Sequence, residues 1–379
     1  MSVNDKMHIL VLNFEYPPLG GGASPIGKQI SEVYAANGHK VSVVTTHFEG
    51  LPAFEKDGNV EIHRIKSGRK KKNISYPREH LLYLIKARSV IMGIHRKDFI
   101  HVCHCHFILP TGVLTYWCKS RLRIPYVITI HGSDVPAYNP DRFGWMHILL
   151  KPALKFIVKH AYATVSPSDY LAGLLKNTIL PIRLERINYG YQIQNDNEVQ
   201  KEKIILSTGR LLPRKGFQYL IKAVAPQDLG YEVHICGDGP MRAELENLAQ
   251  SSATKIVFHG WINNQSPEYR SLLAKASIFV LVSSQENSSL SIMEAMENKC
   301  AIISSNTTGC FEMVNDIGIC VQPGEVTPIR EAILQLVENE GQIKVMGDLA
   351  HKKLELNYSV VESSKKYIDL LLNAQVAKQ

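Results

Sequence analysis

Two periods alternate along the chain. Short runs rich in Val and Ile are apolar on successive positions, and longer stretches between them are apolar every third or fourth residue. In the first half the short runs are HILVLNF (8–14), KVSVVTT (40–46), VEIHRI (60–65), IHVCHC (100–105), YVITI (126–130) and ATVS (163–166). In the second half they are KIILSTG (203–209), YEVHICG (231–237), KIVFHG (255–260), IFVLVS (278–283), AIISS (301–305) and GICV (318–321). A strand apolar on both faces belongs inside a parallel sheet covered by helices. Two such series in succession predict an α/β chain with two doubly wound domains.

The periodicity lapses at NYGYQIQNDNEVQKEK (188–203), which is polar. This sets expected domains at 1–190 and 191–356. Residues 357–379 hold a last helical pattern, about Val360 to Ala374, expected to pack back on the first domain. In a doubly wound sheet the loops at the carboxyl ends of the strands form the ligand site. Two such sheets are expected to face each other across a cleft.

A length of 379 residues suits two domains with cores of their own. Seven cysteines, odd in number and scattered, suggest reduced thiols and a cytoplasmic protein. The opening MSVNDKMHILVLNF does not fit a signal peptide, because its apolar part continues as a strand. Phe99 to Cys118 carries no Asp, Glu, Lys or Arg, but a Pro110–Thr111–Gly112 break and three histidines make it a buried strand and helix rather than a membrane span.

Charge changes the picture more than composition does. The net charge is +8, yet Arg64 to Lys97 holds eleven Lys or Arg against one acid, Glu79, for a net of +10. The remainder is therefore 8 − 10 = −2, so one segment makes the chain basic. Within it, Arg69, Lys70, Lys71 and Lys72 read as a cationic loop. Leu81, Leu82, Leu84, Ile85, Val90, Ile91 and Ile94 read as a wide apolar helical face. A core helix with basic flanks and an interfacial site for anionic lipid headgroups or a phosphorylated acceptor both fit. Nucleic acid is not expected, since aromatic interleaving is sparse and no recognition motif is present.

The stretch HVCHCHF (101–107) gathers three histidines and two cysteines, the side chains that bind zinc. On a strand, however, side chains alternate. Cys103 and Cys105 share a face with His101, and His104 and His106 share the other, so four of them do not converge on one tetrahedral ion. No metal site is expected there.

Several strand-to-helix turns carry better chemistry. The first, YPPLGGGASPIGKQ, places Gly20, Gly21 and Gly22 before a helix, where backbone N–H groups suit phosphate. In STGRLLPRKGF, Arg210 and Lys215 precede a helix and suit a diphosphate. In CGDGPM, Gly237 and Gly239 bracket Asp238, which fits a turn close to a nucleotide as well as an ordinary Asp-Gly turn. In SSQENSSLSIMEAMENKC, Glu286 lies in a loop, a helix begins near Ser289, and Glu294 follows among apolar neighbours that imply a partner for it. Two carboxylates suit sugar hydroxyls because they accept and do not donate.

The glycine-rich first turn, HCHFILPTG, VITIHGSDV, GRLLPRKG, GDGP, the E-x7-E spacing of ENSSLSIME and EAM, in this order, resemble family 4 glycosyltransferases. The resemblance spans essentially the whole chain. It implies the GT-B architecture of two Rossmann-like domains and a metal-independent, retaining, hexosyltransferase-like enzyme with no cofactor. Its donor substrate would be a nucleotide-diphospho-sugar, UDP- or GDP-linked. By the same resemblance, Arg210 and Lys215 hold the diphosphate, the amides of Ser289 and Leu290 support it, and Gly237 and Asp238 lie beside the nucleotide. Glu286 contacts the transferred sugar and Glu294 the ribose. Gly21 and Gly22 face the diphosphate and acceptor, His131 lines the sugar pocket, and His106 and Asp134 lie on the acceptor side. Asp-x-Asp, the metal signature of the other nucleotide-sugar transferase architecture, does not occur.

The chain departs from the family at Asn287–Ser288–Ser289, where a Gly-Phe-Gly-like run is common, and at ENKC after EAM, where a small residue and glycine are usual. The expected acceptor is a glycan or lipid-linked hydroxyl in cell-envelope synthesis, with the protein peripheral on the inner face of the plasma membrane. A UDP-sugar 2-epimerase of the same architecture and a non-catalytic sugar-binding protein are the competing readings.

Overall fold

The computed structural model describes residues 6–72, 74–181, 183–194 and 199–377. Residues 1–5 of the opening stretch and 195–198 of the polar join lie outside the described residues. The chain divides into two compact units, Met1–Gly190 with Val360–Gln379, and Tyr191–Ser359.

The first unit runs β1 (His8–Asn13), α1 (Ala23–Ala36), β2 (Lys40–Thr46), β3 (Phe54–Asp57), β4 (Val60–Ile65), α2 (Pro77–Lys97) and β5 (Val102–His106). It continues α3 (Thr111–Leu122), β6 (Tyr126–Thr129), α4 (Pro140–His160), β7 (Ala163–Ser166), α5 (Asp169–Thr178) and β8 (Leu184–Arg186). The sheet order is β3-β4-β2-β1-β5-β6-β7-β8, parallel except for β3. The strand order reverses between β1 and β5, the switch point where doubly wound sheets bind ligands. Asn13 and His106 are register partners at the carboxyl ends of those two strands.

The second unit runs β9 (Glu202–Thr208), a 3-10 turn at Pro213–Lys215, α6 (Phe217–Val224), β10 (Glu232–Cys236), α7 (Arg242–Ala249), β11 (Ile256–Gly260) and α8 (Pro267–Lys275). Then follow β12 (Ala276–Leu281), α9 (Leu290–Glu297), β13 (Ala301–Ser305), α10 (Gly309–Val314), β14 (Ile319–Val321), α11 (Val326–Val337) and α12 (Glu340–Asn357). Its six strands are all parallel, in the order β11-β10-β9-β12-β13-β14, with the switch between β9 and β12. The last helix, α13 (Val360–Val376), packs on β5, β6 and α1 of the first unit. Tyr367 anchors it: its ring is buried and its hydroxyl accepts from Thr129 Oγ1 at 3.1 Å.

Buried strands match the expected runs to within a few residues, because double-sided burial leaves a continuous apolar signature. β3 and β8 were not expected. Both are short edge strands of charged or exposed residues, with no apolar alternation to mark them.

Two expectations for the basic segment need correction. The buried face of α2 is Glu79, Tyr83, Ala87, Ile91 and Ile94, whereas Leu81 and Ile85 are 58% and 56% exposed. Arg69 is not a surface cation. It is 7% exposed, and its guanidinium donates to the carbonyls of Lys71 and Lys72 at 3.0 and 2.9 Å and to Thr46 Oγ1 at 3.2 Å. A planar five-donor group can be buried where carbonyls surround it, which a charge run does not reveal. Lys70, Lys71 and Lys72 are exposed as expected.

Candidate functional site

The second unit collects most of the expected donor residues along its carboxyl edge. β9 ends and the chain turns through exposed Arg210 to Pro213–Lys215. Gly216 follows at φ 80, where an added Cβ would lie 2.5 Å from the Val282 carbonyl, so this turn is pressed against the end of β12. Two further bonds fasten it: Ser284 N–H and Ser283 Oγ both donate to the Arg214 carbonyl, at 2.8 and 2.9 Å. The consequence is that Lys215 and Glu286, from different turns, form an ion pair. Both side chains are largely buried, so the pair is shielded from bulk water.

Three residues on, Ser289 caps α9, and its hydroxyl pairs with that of Ser291 at 2.9 Å instead of bonding a helix amide. Amides at the start of α9, from Leu290 onwards, are thus left without a side-chain cap, next to Lys215 and Glu286.

Gly237 and Asp238 lie on the neighbouring turn, after β10. A Cβ on Gly237 would lie 1.8 Å from the Gly209 carbonyl oxygen, so this glycine is required for packing of the β9 and β10 turns. Asp238 is exposed, and its carboxylate accepts the Gly239 N–H at 2.7 Å.

Glu294 is deeply set in α9. Its Oε2 accepts the Tyr269 hydroxyl at 2.8 Å and its Oε1 accepts Asn264 Nδ2 at 3.3 Å. Burial pushes its carboxyl above the usual range, with the Tyr269 and Asn264 bonds opposing. Tyr269 and Asn264 hold the Glu294 carboxylate, and sequence reasoning missed both. They come from α8 and the loop before it, and no motif marks them.

The first unit gathers the histidines. His104 shares hydrogen bonds with Tyr34 at 2.9 Å and Thr129 at 2.8 Å. His106 Nδ1 lies 3.0 Å from His131 Nε2, and His131 Nδ1 lies 2.7 Å from the Tyr189 hydroxyl. All three imidazoles are buried, and burial holds them well below the ordinary value, His106 down to about 3. They are therefore neutral.

Both ring nitrogens of His131 are engaged by protein groups. Asp134 is buried as well. Its Oδ1 accepts the His131 and Gly132 amides at 3.0 and 3.1 Å, and its Oδ2 accepts Ile108 N–H at 2.9 Å. HGSD thus clamps the loop after β6 to the loop after β5. Gly21 and Gly22 are exposed at the start of α1, where an added Cβ would meet nothing within 4 Å. Among the described residues no cluster of three or more His, Cys, Asp or Glu is arranged to hold a metal ion.

Two family profiles divide the chain as its fold does. The profile described as Glycosyltransferase Family 4 matches residues 20–193, and that described as Glycosyl transferases group 1 matches residues 191–353. The chain belongs to glycosyltransferase family 4. An uncharacterized glycosyltransferase of Methanocaldococcus jannaschii is 28% identical, across 96% of this chain and 97% of that one. Among solved structures, sucrose-phosphate synthase from Thermosynechococcus elongatus superposes with a TM-score of 0.82 at 19% identity, covering 98% of this chain and all of that one. HepE of Anabaena, solved with UDP-glucose, gives 0.73 at 16% identity, covering 97% and 100%. The fold of this family 4 chain is GT-B, two α/β units each built on a parallel sheet. Among its described residues no helix is long and apolar enough to cross a membrane.

Proposed function

We propose that this glycosyltransferase moves a sugar from a UDP- or GDP-linked donor to a hydroxyl of a glycan or lipid-linked acceptor, with retention and without a metal ion. The observation that carries the reading is the Lys215–Glu286 pair beside the uncapped start of α9. A cation, a carboxylate and helix amides are the groups needed to hold a diphosphate and an attached sugar together.

In this reading the bond from the anomeric carbon to the diphosphate oxygen breaks. A bond to the acceptor oxygen forms on the same face, and the acceptor proton passes to the departing diphosphate. Arg210, Lys215 and the amides at Ser289 and Leu290 stabilise the charge that develops on that leaving group. Glu286 holds the transferred sugar and Glu294 the ribose hydroxyls. His131 acts as a positioning residue through Tyr189 and His106. Similarity to a fold solved with UDP-glucose supports uridine as the donor's nucleoside.

A thermal-shift panel of UDP-, GDP- and ADP-sugars tests the donor, since stabilisation grows with ligand concentration over dissociation constant. A UDP-sugar is expected to give the largest shift, and no shift with any of them would overturn the reading. Product analysis with the best donor then checks retention in the presence of a chelator.

The same proposal places the enzyme peripherally on an anionic membrane, such as the inner face of a plasma membrane. Exposed Leu81 and Ile85, one helical turn apart beside Lys70, Lys71 and Lys72, support it. Flotation with anionic vesicles should be lost when Leu81 and Ile85 become Ser; undiminished flotation would sink this placement.

A further inference from the structure

The basic loop and the glycine turn of the first unit are one piece of structure. Buried Arg69 binds the Lys71 and Lys72 carbonyls, and its guanidinium stacks 5.4 Å over the Phe14 ring at the end of β1. Gly20 N–H donates to the Lys72 carbonyl at 2.8 Å, and Lys70 N–H to Glu79 Oε1 at 3.2 Å. The backbone of 69–72 is therefore fixed against the turn that opens α1.

The lysine side chains are free of that scaffold. Lys70 and Lys71 are exposed, and among the described residues neither ammonium pairs with a carboxylate. The Lys72 ammonium lies 5.8 Å above the Phe48 ring. The adjoining turn offers room at Gly21 and Gly22, and α1 begins with no acid in its first turn and no side-chain cap. Ser24, in that first turn, is 3% exposed and its hydroxyl has no partner. Two carboxylates are near, that of Glu79, which accepts the Lys70 N–H, and that of Glu15. The latter accepts the Gly21 N–H at 3.2 Å and lies 3.9 Å from Arg69, so it offsets the buried guanidinium and leaves the lysines uncompensated.

We propose that this loop and turn hold a phosphate group carried by the acceptor, beside the hydroxyl that receives the sugar. The acceptor class is then a hydroxyl compound bearing a phosphate ester, either a soluble polyol or sugar phosphate or the headgroup of an anionic lipid. This rests on the transferase reading for what the bound compound does, but the anion site itself is measured without transfer.

The experiment titrates the full chain with glycerol 3-phosphate and with glycerol, and in parallel with phosphatidylcholine vesicles with and without phosphatidylglycerol. The protein with Lys70→Ser and Lys71→Ser is compared with the parent and with Lys70→Arg and Lys71→Arg. Glycerol 3-phosphate should bind and glycerol should not, and the Ser variant should bind roughly 30-fold more weakly, at about a factor of five per lysine. The Arg variant should match the parent, and thermal unfolding should be the same for all three. Loss confined to glycerol 3-phosphate identifies a soluble source; loss confined to phosphatidylglycerol vesicles identifies a lipid headgroup. A parent that binds neither phosphate probe, or a Ser variant that binds them as well as the parent, overturns the proposal. UDP titrated into the same samples separates the two readings: phosphate binding without UDP binding keeps this site and removes the transferase assignment.

Discussion

Lys215 and Glu286 are 71 residues apart in sequence and form an ion pair at the switch point of the second sheet. The pairing follows from the strand order. β9 and β12 are neighbours, so the turn after one and the loop after the other share an edge, and the Ser283 and Ser284 bonds to the Arg214 carbonyl fix their spacing. The switch point is where doubly wound sheets bind ligands, and here a cation follows one strand and a carboxylate the other.

Removing either partner should disable transfer while leaving the sheet intact. Lys215→Ala and Glu286→Ala are each expected to lower kcat/KM by about 100-fold or more, the range seen when a preorganised charge-stabilising group is removed. The double variant should lose little beyond the worse single, because the two act as a unit. Steady-state kinetics with the best donor from the nucleotide-sugar panel check this. A Lys215→Ala protein with parental kcat/KM would remove Lys215 from the site.

Tyr269 is the support of Glu294. Its hydroxyl bond lowers a carboxyl that burial otherwise raises, so Tyr269→Phe leaves Glu294 less charged and less firmly oriented. The expected result is a donor KM raised by roughly threefold to tenfold, the value of one hydrogen bond, with kcat nearly unchanged. A fall in kcat at constant KM would instead place Tyr269 against the reacting atoms.

Much of this arrangement was legible in the sequence, and the illegible parts share a cause. The buried strands, the two-unit plan and the turns bearing Arg210, Lys215, Glu286 and Glu294 declare themselves, because apolar runs and loop chemistry are local patterns. The buried face of α2 is not legible, since Leu81 and Ile85 fit a core helix and an exposed apolar face equally until the packing of Tyr83 and Ala87 is seen. Arg69 reads in the sequence as part of a cationic loop, and no local pattern marks Asp134 as buried. Their roles depend on carbonyls and amides from other loops, which no local pattern supplies. The metal-like HVCHCHF run resolves for the same reason. His104 bonds Tyr34 and Thr129 and His106 Nδ1 pairs with His131, each distant in sequence, while His106 Nε2 is buried without a partner.

Those histidines should make the protein acid-sensitive. His104, His106 and His131 are held neutral in the folded state, while the unfolded chain takes up protons below about 6.5. Each contributes nothing adverse above that value. As pH falls below it, each costs stability, by about 1.4 kcal/mol per histidine at one unit below. Denaturant unfolding of the parent at pH 7.5 and 5.5 should show this loss. His104→Gln should shrink the pH difference by one histidine's share, and an unchanged difference would show that His104 is not neutral in the fold.

The end of α9 offers a stabilising change. Lys299 follows the last turn with φ 52, a left-handed conformation that glycine adopts without strain and a lysine does not. It stands in ENKC, where the family resemblance would put a small residue and glycine. The Lys299 carbonyl is pressed against Gly347 of α12, where an added Cβ would lie 2.2 Å away, which stops the backbone from relaxing to negative φ. Lys299→Gly should therefore relieve strain of about 1 kcal/mol, partly offset by the greater freedom glycine gives the unfolded chain and by loss of the exposed contact to Asp348 at 3.8 Å. The net expectation is a gain of a few tenths of a kcal/mol, read as a higher denaturation midpoint at unchanged slope. Lys299→Ala separates the terms: it drops the Asp348 contact but keeps the strain, so it should be no more stable than the parent. If alanine stabilises as much as glycine does, the left-handed backbone is not the source of the gain.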